Sequence, residues 1–95
     1  MKIEGVKISW FPGRVKLRVD DLIGEDDLAR RVQADIAQIA GIKSIEVNPD
    51  NGVVLIRYER KTVTQPESVE ALYTALTQHF PRIDFTKIRD WLESR

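Results

Sequence analysis

The spacing of apolar residues changes three times along this sequence, and the order of those changes restricts the fold. Residues 6–10 and 15–19 alternate apolar with polar side chains, which is typical of strands with one buried face. Pro12-Gly13 lies between them and favours a turn, so the two segments form either a hairpin or one kinked strand. A helix is predicted next, because apolar residues recur at helical spacing at Leu28, Val32, Ile36 and Ile39.

The predicted first helix has typical features at both ends. Glu25, Asp26 and Asp27 fall in its first turn, where the helix dipole favours carboxylates. Gly41 follows the last apolar position and is predicted to stop the helix.

A second strand pair and two further helices follow. Residues 42–47 and 53–58 are rich in β-branched side chains and flank the turn-forming segment 48–52, which predicts a hairpin. Residues 59–65 are predicted to be a polar linker, with Thr64 to Glu67 resembling a capping box. The second helix is predicted to end at Pro81, and its buried stripe comprises Val69, Leu72, Tyr73, Leu76 and Phe80. A short third helix is predicted from residue 84.

This order of elements predicts an α+β fold of the ferredoxin-like type. A helix between strands, followed by a hairpin partner and another helix, gives the βαββα frame, with an antiparallel sheet carrying its helices on one face. The frame usually ends in a fourth strand beside the first, and we predict that residues 6–10 occupy that edge instead. We expect one domain over residues 1–95, with residues 84–95 as a C-terminal helical extension.

Composition excludes several kinds of function. The 15 basic and 15 acidic residues cancel, so no overall field attracts nucleic acid or anionic membranes. The sequence has no cysteine, which removes disulfides, cysteine nucleophiles and soft-metal thiolate sites. It also has no apolar run of signal-peptide or membrane-spanning length, so we expect a cytoplasmic protein.

Three segments together resemble the heavy-metal-associated domain superfamily, specifically its divergent branch that lacks the CxxC metal motif. These segments are Pro12–Val19, Gly41–Asn48 and Gly52–Tyr58, and the likeness covers about residues 12–60. Members occur as separate small proteins and as amino-terminal parts of some P-type cation-transporting ATPases. The resemblance implies the fold and a link to cation transport.

The resemblance also identifies the segment where metal-carrying members hold copper, zinc or a similar soft ion on a CxxC pair. The matching loop here, residues 20–27, contains no Cys, His or Met, so no family ligand carries over. Its carboxylates suggest an alternative function as a hard-cation-binding accessory protein, with Asp20, Asp21, Asp26 and Asp27 as ligands. Their spacing matches no EF-hand, and a helix start already explains them.

A second alternative is single-stranded RNA binding, because Lys7, Arg14, Lys16 and Arg18 are expected on the sheet face away from the helices. RNA-binding modules of this architecture stack bases on aromatic side chains of the central strands, and no such pair is expected here. His79 has no triad partners at a recognisable spacing, and no glycine-rich phosphate loop is present. We therefore expect no enzymatic activity and no cofactor.

The surplus of apolar residues favours an interaction function. Helices on one face of the sheet leave either Val53 and Leu55 or Val54 and Ile56 uncovered, unless the C-terminal helix folds over them. Exposed contiguous apolar surface commonly marks an interface. We therefore predict a protein partner or a homo-oligomer, with contacts made by Trp10, Phe11, Arg14, Arg18, Leu55 and Trp91.

Overall fold

The computed structural model describes residues 2–94, so Met1 and Arg95 of the predicted ranges lie outside the described residues. The strands are β1 (Lys2–Ile3), β2 (Val6–Phe11), β3 (Arg14–Val19), β4 (Ile42–Asn48) and β5 (Val53–Tyr58). The helices are α1 (Asp26–Ala37), α2 (Arg60–Val63), α3 (Pro66–His79) and α4 (Thr86–Glu93), with a 3₁₀ turn at Asp20–Leu22.

The strands form one antiparallel sheet in the order β1-β2-β3-β5-β4. This arrangement confirms the ferredoxin-like α+β fold. β2 pairs with β3 along its whole length, from Val6 opposite Val19 to Phe11 opposite Arg14. β2 therefore occupies the position beside β3 that a fourth strand usually fills, with β1 beyond it at the edge of the sheet, and the kinked-strand alternative is wrong.

The turn between β2 and β3 shows why this pair forms a hairpin. Only Pro12 and Gly13 separate the paired residues Phe11 and Arg14. Gly13 has φ of +73°, a left-handed value that glycine adopts without steric cost. Its carbonyl accepts a hydrogen bond of 3.0 Å from the Tyr58 amide, which ties the turn to the end of β5.

Alternation along the strands decides which side chains enter the core. Val15, Leu17 and Val19 of β3 are buried, whereas Arg14, Lys16 and Arg18 between them are exposed. Val54, Ile56 and Tyr58 are buried on β5, and Val32, Ile36, Val69, Leu72 and Leu76 meet them from α1 and α3. The core therefore lies between one face of the sheet and the helices.

The C-terminal helix α4 joins this same core. Its Ile88 and Leu92 are buried, and with Val15, Leu17 and Leu76 they line a small apolar cavity of about 20 Å³. Because Val15 and Leu17 lie on the helix-covered side, α4 packs on that side too. The alternative in which the tail covers the other face is therefore wrong.

The structure differs from the prediction at the end of the first helix and in the predicted linker. The helix ends at Ala37, and Gly41 lies beyond it with φ of +96°. A Cβ at Gly41 would be 2.5 Å from the backbone nitrogen of Val63, so glycine permits a close approach of two backbones there. The predicted linker contains α2, a single turn that buries Val63.

The predicted capping box is wrong as well. Gln65, not Thr64, precedes α3 as its N-cap residue, and Pro66 is the first residue of the helix. The Thr64 hydroxyl instead donates a hydrogen bond of 2.7 Å to the Arg60 carbonyl of α2. The other addition is β1, whose pairing with β2 extends the sheet by one short strand.

Candidate interaction surface

The sheet face opposite the helices is covered by no described element. We call this face the open face; cross-strand pairing aligns its side chains in three rows. The rows are Lys7, Arg18, Val53 and Asn48; Ser9, Lys16, Leu55 and Glu46; and Phe11, Arg14, Arg57 and Ser44.

The open face is strongly basic although the whole chain is neutral. It carries five cations and one carboxylate, that of Glu46, among the described side chains. The cations are Lys7, Arg14, Lys16, Arg18 and Arg57. Each is exposed, and none forms an ion pair with another residue in the described part of the chain. A local positive surface therefore exists without an overall positive charge.

Two pairs of these cations lie directly opposite each other on neighbouring strands. Arg14 faces Arg57 across β3 and β5, and Lys7 faces Arg18 across β2 and β3. Like charges at directly opposed positions destabilise a sheet, each pair by roughly 0.2–1 kcal/mol. Folding stability therefore gives no reason for these pairs. Local rules of this kind are commonly broken at functional sites.

Apolar side chains lie among these cations. Val53 and Leu55 are half-buried, and they confirm the first of the two exposure patterns that alternation allowed on β5. Phe11 is 45% exposed at one end of the face, with the Arg14 guanidinium carbon 5.0 Å from the centre of its ring. The open face thus combines an apolar centre with surrounding positive charge, a composition common in recognition surfaces.

The structure brings four of the six predicted contact residues together on this face, namely Phe11, Arg14, Arg18 and Leu55. The other two, Trp10 and Trp91, lie on the helix-covered side. Their rings stack at 3.7 Å between centroids with 20° between planes, and both side chains are half-buried. The Trp10 Nε1 atom is buried and makes no hydrogen bond with any residue in the described range. This pair joins β2 to α4.

Arg57 was missed as a contact candidate. It shares the alternation of Val53 and Leu55, so the pattern that placed those residues on one face placed Arg57 there too. Lys7 and Lys16 were assigned to this face correctly, but only as part of the RNA-binding alternative.

The acidic loop does not gather its carboxylates around a common point. Within residues 2–94, no group of three or more His, Cys, Asp or Glu side chains is arranged to hold a metal ion. Asp21 accepts a hydrogen bond of 2.9 Å from Arg82, and Asp27 pairs with Arg30. Asp26 and Asp27 lie in the first turn of α1, as predicted, whereas Glu25 precedes that turn as the N-cap residue. This geometry gives the hard-cation alternative no support.

The open face also lacks the features of an RNA-stacking platform. The outward residues of the central strands β3 and β5 are Arg14, Lys16, Arg18, Val53, Leu55 and Arg57, and none is aromatic. Phe11 is the one aromatic side chain that the described strands place there, at the sheet margin. Base stacking on successive aromatics therefore has no counterpart on this face.

Comparison with known families identifies the domain type. A family model described as heavy metal associated domain 2 matches residues 5–79, which is most of the chain. The chain belongs to this heavy metal associated (HMA) family. The matched range extends beyond the residues 12–60 that carry the resemblance and ends at the last residue of α3, so α4 lies outside it. No curated protein and no solved structure matched the chain.

The connection between β3 and α1 corresponds to the segment that holds the CxxC pair in metal-carrying HMA domains. Residues 20–25 form this connection, and Ile23 within it is 46% exposed. No helix among residues 2–94 combines the length and the apolar composition needed to cross a bilayer.

Proposed function

We propose that this chain is a non-catalytic HMA-type domain that binds a partner protein through the open face of its sheet. The observation that carries the proposal is the presence of two opposed cation pairs beside the half-buried Leu55. These pairs are Arg14 with Arg57 and Lys7 with Arg18. The arrangement costs folding stability. A bound partner would offset that cost by supplying negative charge and covering the apolar centre.

Self-association through this face has less support. Two copies placed face to face would bring ten cations and two carboxylates together, counted from the five cations and one carboxylate of each open face. Such juxtaposition of like charges is unfavourable in an interface. A different protein is therefore the partner we propose. The family description, heavy metal associated domain 2, supports a metal-associated role. A role beside a cation transport system and a cytoplasmic location are further parts of the proposal.

Site-specific photo-cross-linking in cells tests the proposal. A photoreactive amino acid replaces Ser9, an exposed open-face residue without charge; the control replaces Thr74, an exposed residue of α3. We expect a protein adduct from position 9 and none from position 74. Adducts from position 74 alone, or from neither position, would contradict the proposal.

A charge-reversal pair separates binding from folding. Lys16→Glu with Arg18→Glu changes the open face, and Arg31→Glu with Lys61→Glu makes the same change of net charge on exposed residues elsewhere. We expect the first variant alone to lose the adduct at position 9. The control variant should retain the unfolding free energy of the unsubstituted chain within about 0.5 kcal/mol, as exposed substitutions usually do. The open-face variant should be at least as stable as the unsubstituted chain, because Arg18→Glu replaces the like-charge pair with Lys7 by a pair of opposite charges.

A further inference from the structure

We infer that the open face recognises an extended acidic segment in which two carboxylates flank an apolar side chain, with the spacing acidic-x-apolar-x-acidic. This inference rests on the proposed function and specifies the chemistry of its partner. It follows from where the two opposed cation pairs lie and from what separates them.

The opposed cation pairs mark two positions for negative charge. Cβ atoms of directly opposed residues are about 5 Å apart, so one carboxylate can contact both side chains of a pair. Arg14 with Arg57 provides one such position, and Lys7 with Arg18 provides the other. Each position lies at a different end of β3.

The distance between the two positions selects the conformation of the segment. Arg14 and Arg18 are four residues apart on β3, which corresponds to about 13 Å along a strand. An extended segment covers the same distance between residues i and i+4, and both of these point to one side. A helix covers only about 6 Å over four residues. Carboxylates at i and i+4 of an extended segment therefore match both positions.

The middle of the face determines the residue between the carboxylates. The row between the two cation pairs contains Leu55 directly opposite Lys16. Leu55 is half-buried, and the methylene stem of Lys16 adds apolar surface beside it. Residue i+2 of an extended segment points to the same side as i and i+4. An apolar side chain at i+2 would therefore cover Leu55.

The positive charge of the open face favours an acidic protein segment as its occupant. A second open face would be repelled, because it carries the same positive charge. Nucleic acid satisfies the charge but not the apolar centre, and the central strands supply no aromatic side chain for its bases.

The test is a titration followed by amide chemical shifts, which detects weak binding and maps its position. The main probe is a capped peptide containing Glu-Ser-Leu-Ser-Glu. A second peptide of the same composition, Glu-Glu-Ser-Leu-Ser, removes the spacing; a third replaces both glutamates by lysine. An oligouridylate of eight nucleotides tests the nucleic-acid alternative.

We expect the spaced peptide to shift amides of β3 and β5 and to bind at least threefold more tightly than the second peptide, because one exposed ion-pair contact is lost there. Added salt should weaken the binding. Arg18→Glu should lower the affinity for the spaced peptide about tenfold, since attraction becomes repulsion, and Arg31→Glu should leave it unchanged.

Equal binding of the two acidic peptides, absence of binding, or tighter binding of the oligouridylate would overturn the inference. A light-scattering mass of a dimer that Arg18→Glu converts to a monomer would do the same, since the occupant would then be a second copy. Sequencing the partner peptide joined at position 9 separates this inference from the proposed function. An adduct whose partner peptide lacks the acidic spacing refutes the inference and leaves the interaction domain standing.

Discussion

Replacement of Gly41 by alanine should destabilise the fold far more than an ordinary glycine substitution. Its φ of +96° is already unfavourable for a residue with a side chain. The new Cβ would also lie 2.5 Å from the Val63 nitrogen and 2.8 Å from its Cα, closer than such atoms approach in proteins. Since both contacts are to backbone, rotation of a side chain does not relieve them.

The destabilisation expected for Gly41→Ala can be estimated by comparison with Gly24, which serves as a matched control. Gly24 has φ of +79°, but a Cβ there meets nothing within 4 Å. Gly24→Ala should therefore cost only the left-handed conformation, about 1–2 kcal/mol. Gly41→Ala adds overpacking of about 1–3 kcal/mol, for a total of about 2–5 kcal/mol, centred on about 3.5 kcal/mol.

Urea unfolding followed by circular dichroism measures both variants. With a denaturant slope of about 1.5 kcal/mol/M, Gly24→Ala should lower the midpoint by about 1 M and Gly41→Ala by about 2 M or more. Equal shifts would refute the argument that close approach to α2, rather than backbone conformation alone, requires glycine at position 41.

Three further predictions concern individual side-chain contacts. Trp10→Phe or Trp91→Phe should each abolish the exciton signal of the stacked indoles in circular dichroism and cost about 1 kcal/mol; a signal that survives in either variant would disprove the stack. Asp84 accepts hydrogen bonds from the Thr86 hydroxyl and backbone N–H groups, which lower its pKa. The contribution of the Asp84 carboxylate to stability is therefore present above the ordinary aspartate pKa and lost as the pH falls through the lowered pKa. Asp84→Asn should weaken the loss of folding stability on acidification. An identical dependence of stability on pH in this variant and in the unsubstituted chain would contradict the prediction. His79 Nε2 lies 2.6 Å from Asp35 Oδ2, a contact that joins α3 to α1. His79→Ala should therefore lower stability in thermal unfolding by about 1 kcal/mol, whereas Gln78→Ala, at the exposed neighbouring residue, should lower it by less than 0.5 kcal/mol. Equal losses would show that the contact does not stabilise the fold.

The strand and helix positions were predictable because the pattern of burial is local to each element. Alternation from Val53 to Tyr58 reproduces β5 residue for residue, and the stripe containing Val69 and Leu76 identifies α3. In α3 the apolar residues face the core at the helical period, so sequence spacing carries the information. On β5 apolar residues lie on both faces, so spacing located the strand but did not decide that Val54 and Ile56, rather than Val53 and Leu55, face the core.

The failures fall where contacts distant in sequence decide the local structure. α2 has only four residues, too few to be stable alone, and it exists where Val63 packs into the core. Gly41 looks like a helix stop, but the backbone of Val63, which lies far along the chain, leaves no room for a Cβ at position 41. The side on which α4 packs depends on the partners of Ile88 and Leu92, which no local pattern records.

The candidate surface was predicted only in part, because it too depends on contacts between residues distant in sequence. Alternation assigns Lys7, Arg14, Lys16 and Arg18 to one side of the sheet, as the structure confirms. The sequence does not reveal that Arg14 faces Arg57, because strand register is a property of the paired sheet. The two charge positions became visible only when that register was known.

The stack of Trp10 on Trp91 has a kinetic consequence. It joins residues near opposite ends of the chain, so the entropy of closing almost the largest possible loop must be lost before the rings meet. We therefore expect the indole contact to form after the folding barrier has been crossed. Substitutions in this pair should then accelerate unfolding while leaving the refolding rate nearly unchanged. The two rings would report the last step by which the molecule closes.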